Sequence, residues 1–348
     1  MKQKAIYPLA FTILTGLAVI LNSCTQKTGI STAEYFNYGD SLETAGVKMI
    51  PIKTPAGDFK VWTKRFGNNP KIKILLLHGG PAMTHEYMEC FETFFQREGF
   101  EFYEYDQLGS YYSDQPKDNS LWTIERFVDE VEQVRQAIHA DSSNFYIIGN
   151  SWGGILAMEY ALKYQQHLKG MVVANMMASA PDYVKYAEEV LSKQMDPEIL
   201  TEIRAIEAKK DFANPRYFEL LLPNYYAKHI CRLAEWPDPV NRALKHVNNE
   251  VYTLMQGPSE LGMTKDARLA NWDIKARLKE IARPALMVGA KYDTMDPKAM
   301  EAQSKQVQKG RYLYCPDGSH LAMWDDQNVF MDGVIRFIKD VDAGDFMK

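Results

Sequence analysis

Ser151 stands in Gly149-Asn150-Ser151-Trp152-Gly153, a G-x-S-x-G arrangement. Glycines at this spacing let a chain turn sharply from strand to helix, and the turn lifts a serine hydroxyl clear of the backbone. An apolar run, Phe145 to Ile148, precedes the motif, and a helical pattern, Gly154 to Tyr164, follows it. The N-terminus of such a helix favours negative charge developing at the hydroxyl. A glycine-rich turn with an incidental serine would carry the same letters, so partner residues must decide. A serine hydroxyl is a weak nucleophile. It needs a base, and the base needs an orienter. After a turn of this kind the partners follow in the order Ser, then Asp or Glu, then His. Asp293 ends Gly289-Ala290-Lys291-Tyr292-Asp293, and His320 ends Gly318-Ser319-His320. His320 is the only histidine after Asp293. A helix cap is the competing role for Asp293, and Asp296, just before Pro297, suits that role better. His139, His167, His229 and His246 lie on helical stretches and read as ordinary surface or partly buried residues.

Acyl transfer also needs hydrogen-bond donors for an oxyanion. His78-Gly79-Gly80-Pro81 follows the apolar run Ile72 to Leu77 and fits a loop that supplies one. The backbone N–H groups of Gly80 and Trp152 are the expected pair. Pro81 has no N–H and stiffens the loop instead.

These residues need elements that bring them together. Val47 to Arg65 reads as a β-hairpin around Pro55-Ala56-Gly57-Asp58. Short apolar runs follow at Ile72–Leu77, Phe100–Tyr105, Phe145–Ile148, Met171–Ala174, Pro284–Val288 and Tyr312–Cys315. Helical patterns such as Thr123 to Ala140 lie between them. Buried strands alternating with helices imply a mainly parallel sheet covered on both faces. Chemistry in such sheets gathers at the C-terminal ends of the strands, where every motif above falls. From about Asp182 to Ala270 the alternation stops. That stretch is helical in pattern and is punctuated by Pro215, Pro223, Pro237, Pro239 and Pro258, which marks an inserted helical cap. The sequence thus divides into a signal-like segment (1–24), a tether and lead-in (25–46), a core (47–181 and 271–348) and a cap (182–270).

The N-terminus carries its own signal. Lys2 and Lys4 precede a mostly apolar run from Ala5 to Leu21, followed by Leu21-Asn22-Ser23-Cys24. A charged start, an apolar stretch and a small residue before the cut describe a secretory signal. The cysteine just after the cut makes it resemble a bacterial lipoprotein signal with Cys24 lipidated. An ordinary signal or an uncleaved anchor is the plainer alternative. Each buried acyl methylene would add ~0.8 kcal/mol of membrane affinity. The expected location is the bacterial cell envelope, lipid-anchored and facing the periplasm or exterior. Thr25 to Ala33 is small and polar and reads as a tether. Cys90, Cys231 and Cys315 remain; they permit at most one internal bridge and read as small buried hydrophobes. The formal net charge is −5 with both signs mixed along the chain. No long basic stripe appears, which argues against a nucleic-acid partner. Nothing points to a metal or an organic cofactor.

Together these motifs resemble those of the proline iminopeptidases (prolyl aminopeptidases) and their α/β-hydrolase relatives. The resemblance runs from about Val47 to the C-terminus. It rests on His78-Gly79-Gly80-Pro81, Asp106-Gln107-x-Gly109, Gly149-Asn150-Ser151-Trp152-Gly153-Gly154, Gly257-Pro258-Ser259-Glu260 and Asp317-Gly318-Ser319-His320-Leu321-Ala322-Met323-Trp324. It implies an α/β-hydrolase fold with a helical cap over a pocket for an N-terminal residue, often proline. It also implies carboxylates that hold the substrate's free amine. Glu260 matches one such position; a solvated cap carboxylate is the alternative. Four positions depart from the family pattern. Thr294 stands where some relatives have a second Glu, and Ala82 replaces the last glycine of the His-Gly-Gly-Pro-Gly loop. Leu108 and Tyr111 interrupt Asp-Gln-Arg-Gly-x-Gly. Glu86, near the oxyanion loop, is a further carboxylate in reach of the site by sequence.

The implied activity is a serine exopeptidase that releases an N-terminal residue, preferably proline, from a small peptide or amino-acid amide through an acyl-enzyme. A related amino-acid amidase, esterase or acyl-lactone hydrolase is the alternative within the fold. A non-catalytic binding protein is the alternative outside it. Epoxide hydrolases and dehalogenases use Asp where this chain has Ser151.

Overall fold

The computed structural model describes residues 30–38 and 44–346. The signal-like segment and Cys24 lie outside these residues. No helix among the described residues is long and apolar enough to cross a membrane.

Eight strands form one sheet in the order β1-β2-β4-β3-β5-β6-β7-β8. β1 (Val47–Thr54) and β2 (Gly57–Phe66) are the predicted hairpin, with Thr54 paired to Gly57 across its turn. β2 also runs antiparallel to β4 (Glu101–Asp106). The other neighbours are parallel: β3 (Lys73–Leu77), β5 (Phe145–Asn150), β6 (Gly170–Ala174), β7 (Ala285–Ala290) and β8 (Gly310–Cys315). The six apolar runs are therefore six of the eight strands, β3 to β8, with ends moved by a residue or two.

The strand pleat explains their continuous apolarity. Leu75 and Leu77 of β3 enter one core layer, with helices Ile124–Ala137 and Trp152–Tyr164. Ile74 and Leu76 enter the other, with helices Cys90–Arg97 and Gln327–Ala343. A sheet covered on both faces has no polar side to alternate with.

The chain order reverses beside β3. β4 lies on one side of it and β5 on the other. This is a topological switch point, where open sheets leave a crevice at their carboxyl ends.

Helices from Ala180 to Met255 make the insertion. Its two ends are stitched together below: Ser179 bridges Asp273, Ala180 N–H donates to the Trp272 carbonyl at 2.8 Å, and Ile274 N–H donates to Ala178 at 2.9 Å. Pro215 starts a helix as its position suggests. Pro223 does not end that helix. The chain passes through a π-helical turn, Leu222–Tyr226, which absorbs the missing N–H and continues to His229.

Part of the lead-in is docked rather than free. Ser31 caps a short helix, Thr32–Tyr35, and the buried Tyr35 hydroxyl donates to the Phe100 carbonyl at 3.0 Å.

Candidate active site

Five adjacent parallel strands each end in a residue of one cluster. Gly80 follows β3, Ser151 follows β5, Asn175 follows β6, Asp293 follows β7 and His320 follows β8. The register sets Leu77 beside Gly149 and Ala290 beside Cys315, so the loops after these strands begin at one level.

Ser151 has φ 55° and ψ −124°, a sparsely populated conformation for a residue with a side chain. Two glycines make the bend possible. A Cβ on Gly149 would lie 2.0 Å from the Gly153 carbonyl oxygen, and one on Gly153 would lie 2.0 Å from that of Leu77. The turn is held by Ser151 N–H donating to Ala174 at 3.0 Å and Gly154 N–H donating to Ser151 at 2.7 Å. Trp152 Nε1 donates to Gln107 Oε1 at 2.7 Å, and Gln107 N–H donates to His78 Nε2 at 3.1 Å. Gln107 thereby ties the serine turn to the His78–Pro81 loop. The backbone N–H groups of Gly80 and Trp152 donate to no acceptor among the described residues. Gly80 has φ 39°, and Ala82, where the related loop carries glycine, sits at φ 61°.

His320 Nδ1 lies 2.7 Å from Asp293 Oδ1. Both residues are buried. Asn175 Nδ2 donates to the other carboxylate oxygen at 2.7 Å and to the Ser319 carbonyl at 3.2 Å. Thr294 Oγ1 lies 3.1 Å from His320 Nδ1 and 3.3 Å from Asp293 Oδ1. Burial disfavours the charged imidazole, but the adjacent Asp293 carboxylate outweighs it and holds the His320 pKa above the usual histidine value. An imidazole with Nδ1 fixed in this way presents Nε2 as a proton acceptor. No hydrogen bond joins Ser151 Oγ to His320 among the described residues. Such contacts commonly tighten only when substrate is bound.

Ser151, His320, Gly80 and Glu260 line one cavity of about 360 Å³ beneath the cap. Glu260 is 9% exposed. Its Oε1 accepts from the Tyr252 hydroxyl and, at 3.0 Å, from Gln256 Nε2. Its carbonyl accepts from Tyr183 and Tyr225, at 2.8 and 3.1 Å, and its N–H donates to Tyr226 at 3.1 Å. Burial keeps these phenols protonated, with pKa values above the usual tyrosine range. Its Oε2 is buried and has no hydrogen-bond partner among the described residues.

Glu86 is not in this cavity. It is fully buried elsewhere and is occupied by Arg242 at 2.6 Å, His246 at 2.8 Å, Thr84 at 2.8 Å and Tyr112 at 3.0 Å. Arg242 also pairs with Glu89 and Asp238, both at 2.7 Å, so the cluster fastens the cap helix Asp238–Lys245 to the core.

Two of the histidines read as ordinary have structural duties. His246 belongs to this fastening. His229 is buried, and its carbonyl accepts the His320 N–H at 2.9 Å. Cys90, Cys231 and Cys315 are buried and unbridged.

Residues 73–327 match the family model described as alpha/beta hydrolase fold. The chain is 83% identical over 298 residues to a proline iminopeptidase of Elizabethkingia meningoseptica, covering 86% of this chain and all of that protein. It is 80% identical over 293 residues to a proline iminopeptidase of Flavobacterium johnsoniae, covering 84% of this chain and 98% of that one. Among solved structures it is similar to a proline iminopeptidase of Mycobacterium smegmatis, with a TM-score of 0.74 and 25% identity, covering 84% of this chain and 99% of that one. With such identity across nearly the whole length of these bacterial relatives, this chain belongs to the proline iminopeptidase family of α/β-hydrolases.

Proposed function

We propose that this protein is a serine exopeptidase that removes an N-terminal residue, preferably proline, from small peptides through an acyl-enzyme. The observation that carries the amine requirement is Glu260, which lines the cavity with Ser151 and His320 and whose buried Oε2 has no hydrogen-bond partner among the described residues. A buried carboxylate oxygen without a donor costs free energy that a bound ammonium recovers. Glu260 is thus the amine anchor, and the Tyr252 and Gln256 donors fix its orientation.

In the reaction, Ser151 Oγ attacks the first peptide carbonyl carbon while His320 Nε2 takes its proton. Asp293 holds the imidazole and its developing charge. The Gly80 and Trp152 N–H groups receive the oxyanion, and their lack of protein acceptors supports this role. Collapse breaks the C–N bond, and His320 returns the proton to the departing amine. Water, with its proton taken by His320, then releases the amino acid and regenerates Ser151.

The residues between Asp182 and Ala270 serve as the cap, and residues 47–181 and 271–348 serve as the core. The protein is held in the bacterial envelope by a lipidated Cys24; the sequence pattern around that residue supports this anchoring.

Glu260→Gln tests the anchor. The amide keeps shape and one acceptor but loses the charge. A charge-assisted hydrogen bond is worth about 2–3 kcal/mol over its neutral replacement in a desolvated site. The expected loss in kcat/KM on proline p-nitroanilide is about 10²-fold. A loss below about threefold would remove Glu260 from this role.

The pH profile tests His320. Only the neutral imidazole accepts a proton, so kcat/KM rises with pH as His320 deprotonates. Because its pKa is raised, the acidic limb is expected above the ordinary histidine midpoint of about 6.5. A limb centred below that value would contradict the assigned pairing with Asp293.

A further inference from the structure

The cavity lining holds one carboxylate, Glu260, and one fixed cation, Lys245. Lys245 is the last residue of the cap helix Asp238–Lys245 and is exposed. It forms no ion pair or hydrogen bond with any described residue. The nearby acids do not compete for it: Glu86, Glu89 and Asp238 are all engaged by Arg242, one turn earlier on the same helix. The wall that shares the cavity with these two charges is apolar, built by Phe218, Leu222, Trp236, Val240 and Leu244. The cavity therefore offers a buried anion, an apolar wall and an exposed cation.

That pattern is complementary to a short zwitterionic peptide. With the amine on Glu260 and the scissile carbonyl at Ser151, the residue after proline meets the apolar wall. Lys245 is the one lysine or arginine in the lining available to a free carboxylate there. We propose that Lys245 is a specificity-determining residue that binds the C-terminal carboxylate of dipeptides carrying an apolar residue after the proline. This inference rests on the amine-anchoring role proposed above for Glu260. Longer peptides carry their carboxylate past Lys245 and gain nothing from it.

The test compares prolyl-leucine with prolyl-leucinamide on the full-length protein. The two substrates differ only in the terminal charge. An ion pair with one exposed partner supports roughly a fivefold preference in kcat/KM for the free acid. The preference is expected to fall towards one between roughly 0.05 and 0.5 M salt, as screening shortens the reach of an exposed pair. Lys245→Met keeps the apolar stem and removes the charge; it is expected to bring the ratio to about one. Lys245→Glu is expected to invert it. A wild-type ratio near one, a salt-independent ratio, or a ratio retained in Lys245→Met would overturn the proposal. Cleavage of proline p-nitroanilide separates this failure from that of the underlying reading. If that substrate and both peptides resist the enzyme, the exopeptidase reading falls and takes Lys245 with it. If they are cleaved with no charge preference, only the Lys245 assignment falls.

Discussion

Ser151→Ala is expected to lower kcat on proline p-nitroanilide by on the order of 10⁵-fold or more, with the fold intact. The covalent route disappears with the hydroxyl, and what survives is the effect of binding and of the oxyanion donors. The cost to stability is small for a specific reason. The Ser151 hydroxyl makes no hydrogen bond to another described residue, so its removal leaves no buried partner unsatisfied. The strained backbone at φ 55° is held by the Ala174 and Gly154 contacts, which are main-chain and survive the substitution. Unfolding free energy should therefore change by no more than about 0.5–1 kcal/mol. Residual activity above about 1% in a folded variant would exclude Ser151 as the nucleophile.

The sheet and the serine turn were legible in the sequence because local backbone demands write themselves into residue type. A strand buried on both faces must be apolar throughout, as Ile74 to Leu77 are. A turn with a glycine against the Leu77 carbonyl admits no side chain at Gly153. Asp293 and His320 were named as candidates by their order and their places after strands, and the structure sets them 2.7 Å apart.

The support around them was not legible. Asn175 holds Asp293 from 118 residues away, and His229 holds His320 from a cap helix. Polar pairs across such separations leave no periodicity to read. Asn175 did carry one available signal: it directly follows β6, between the strands that deliver Ser151 and Asp293. Thr294 was noted only as a departure from the family, although its hydroxyl lies against His320. The tyrosines around Glu260 lie up to 77 residues from it and carried no sequence signal of that contact. Glu86 misled in the opposite direction, because nearness in sequence to Gly80 said nothing of the Arg242 and His246 that occupy it. Pro223 misled because a π turn lets a helix absorb a proline.

Blocking the substrate's amine is expected to cost about 10³-fold in kcat/KM. N-acetylation replaces an ammonium with a neutral amide and leaves the Glu260 carboxylate desolvated opposite an uncharged group. Removing one partner of a buried charge pair costs about 3–5 kcal/mol, and the acetyl group must also fit where Tyr252 and Gln256 crowd Glu260. The loss should exceed that of Glu260→Gln, which removes the charge without adding bulk. This contrast separates amine-anchored cleavage from ester or amide hydrolysis that ignores the amine, because Ser151, Asp293 and His320 would serve both alike.

The most direct test is the ratio of kcat/KM for proline p-nitroanilide to that for N-acetylproline p-nitroanilide, measured on the full-length protein. A ratio of about 10³ is predicted; comparable cleavage of the two would contradict amine-anchored exopeptidase action.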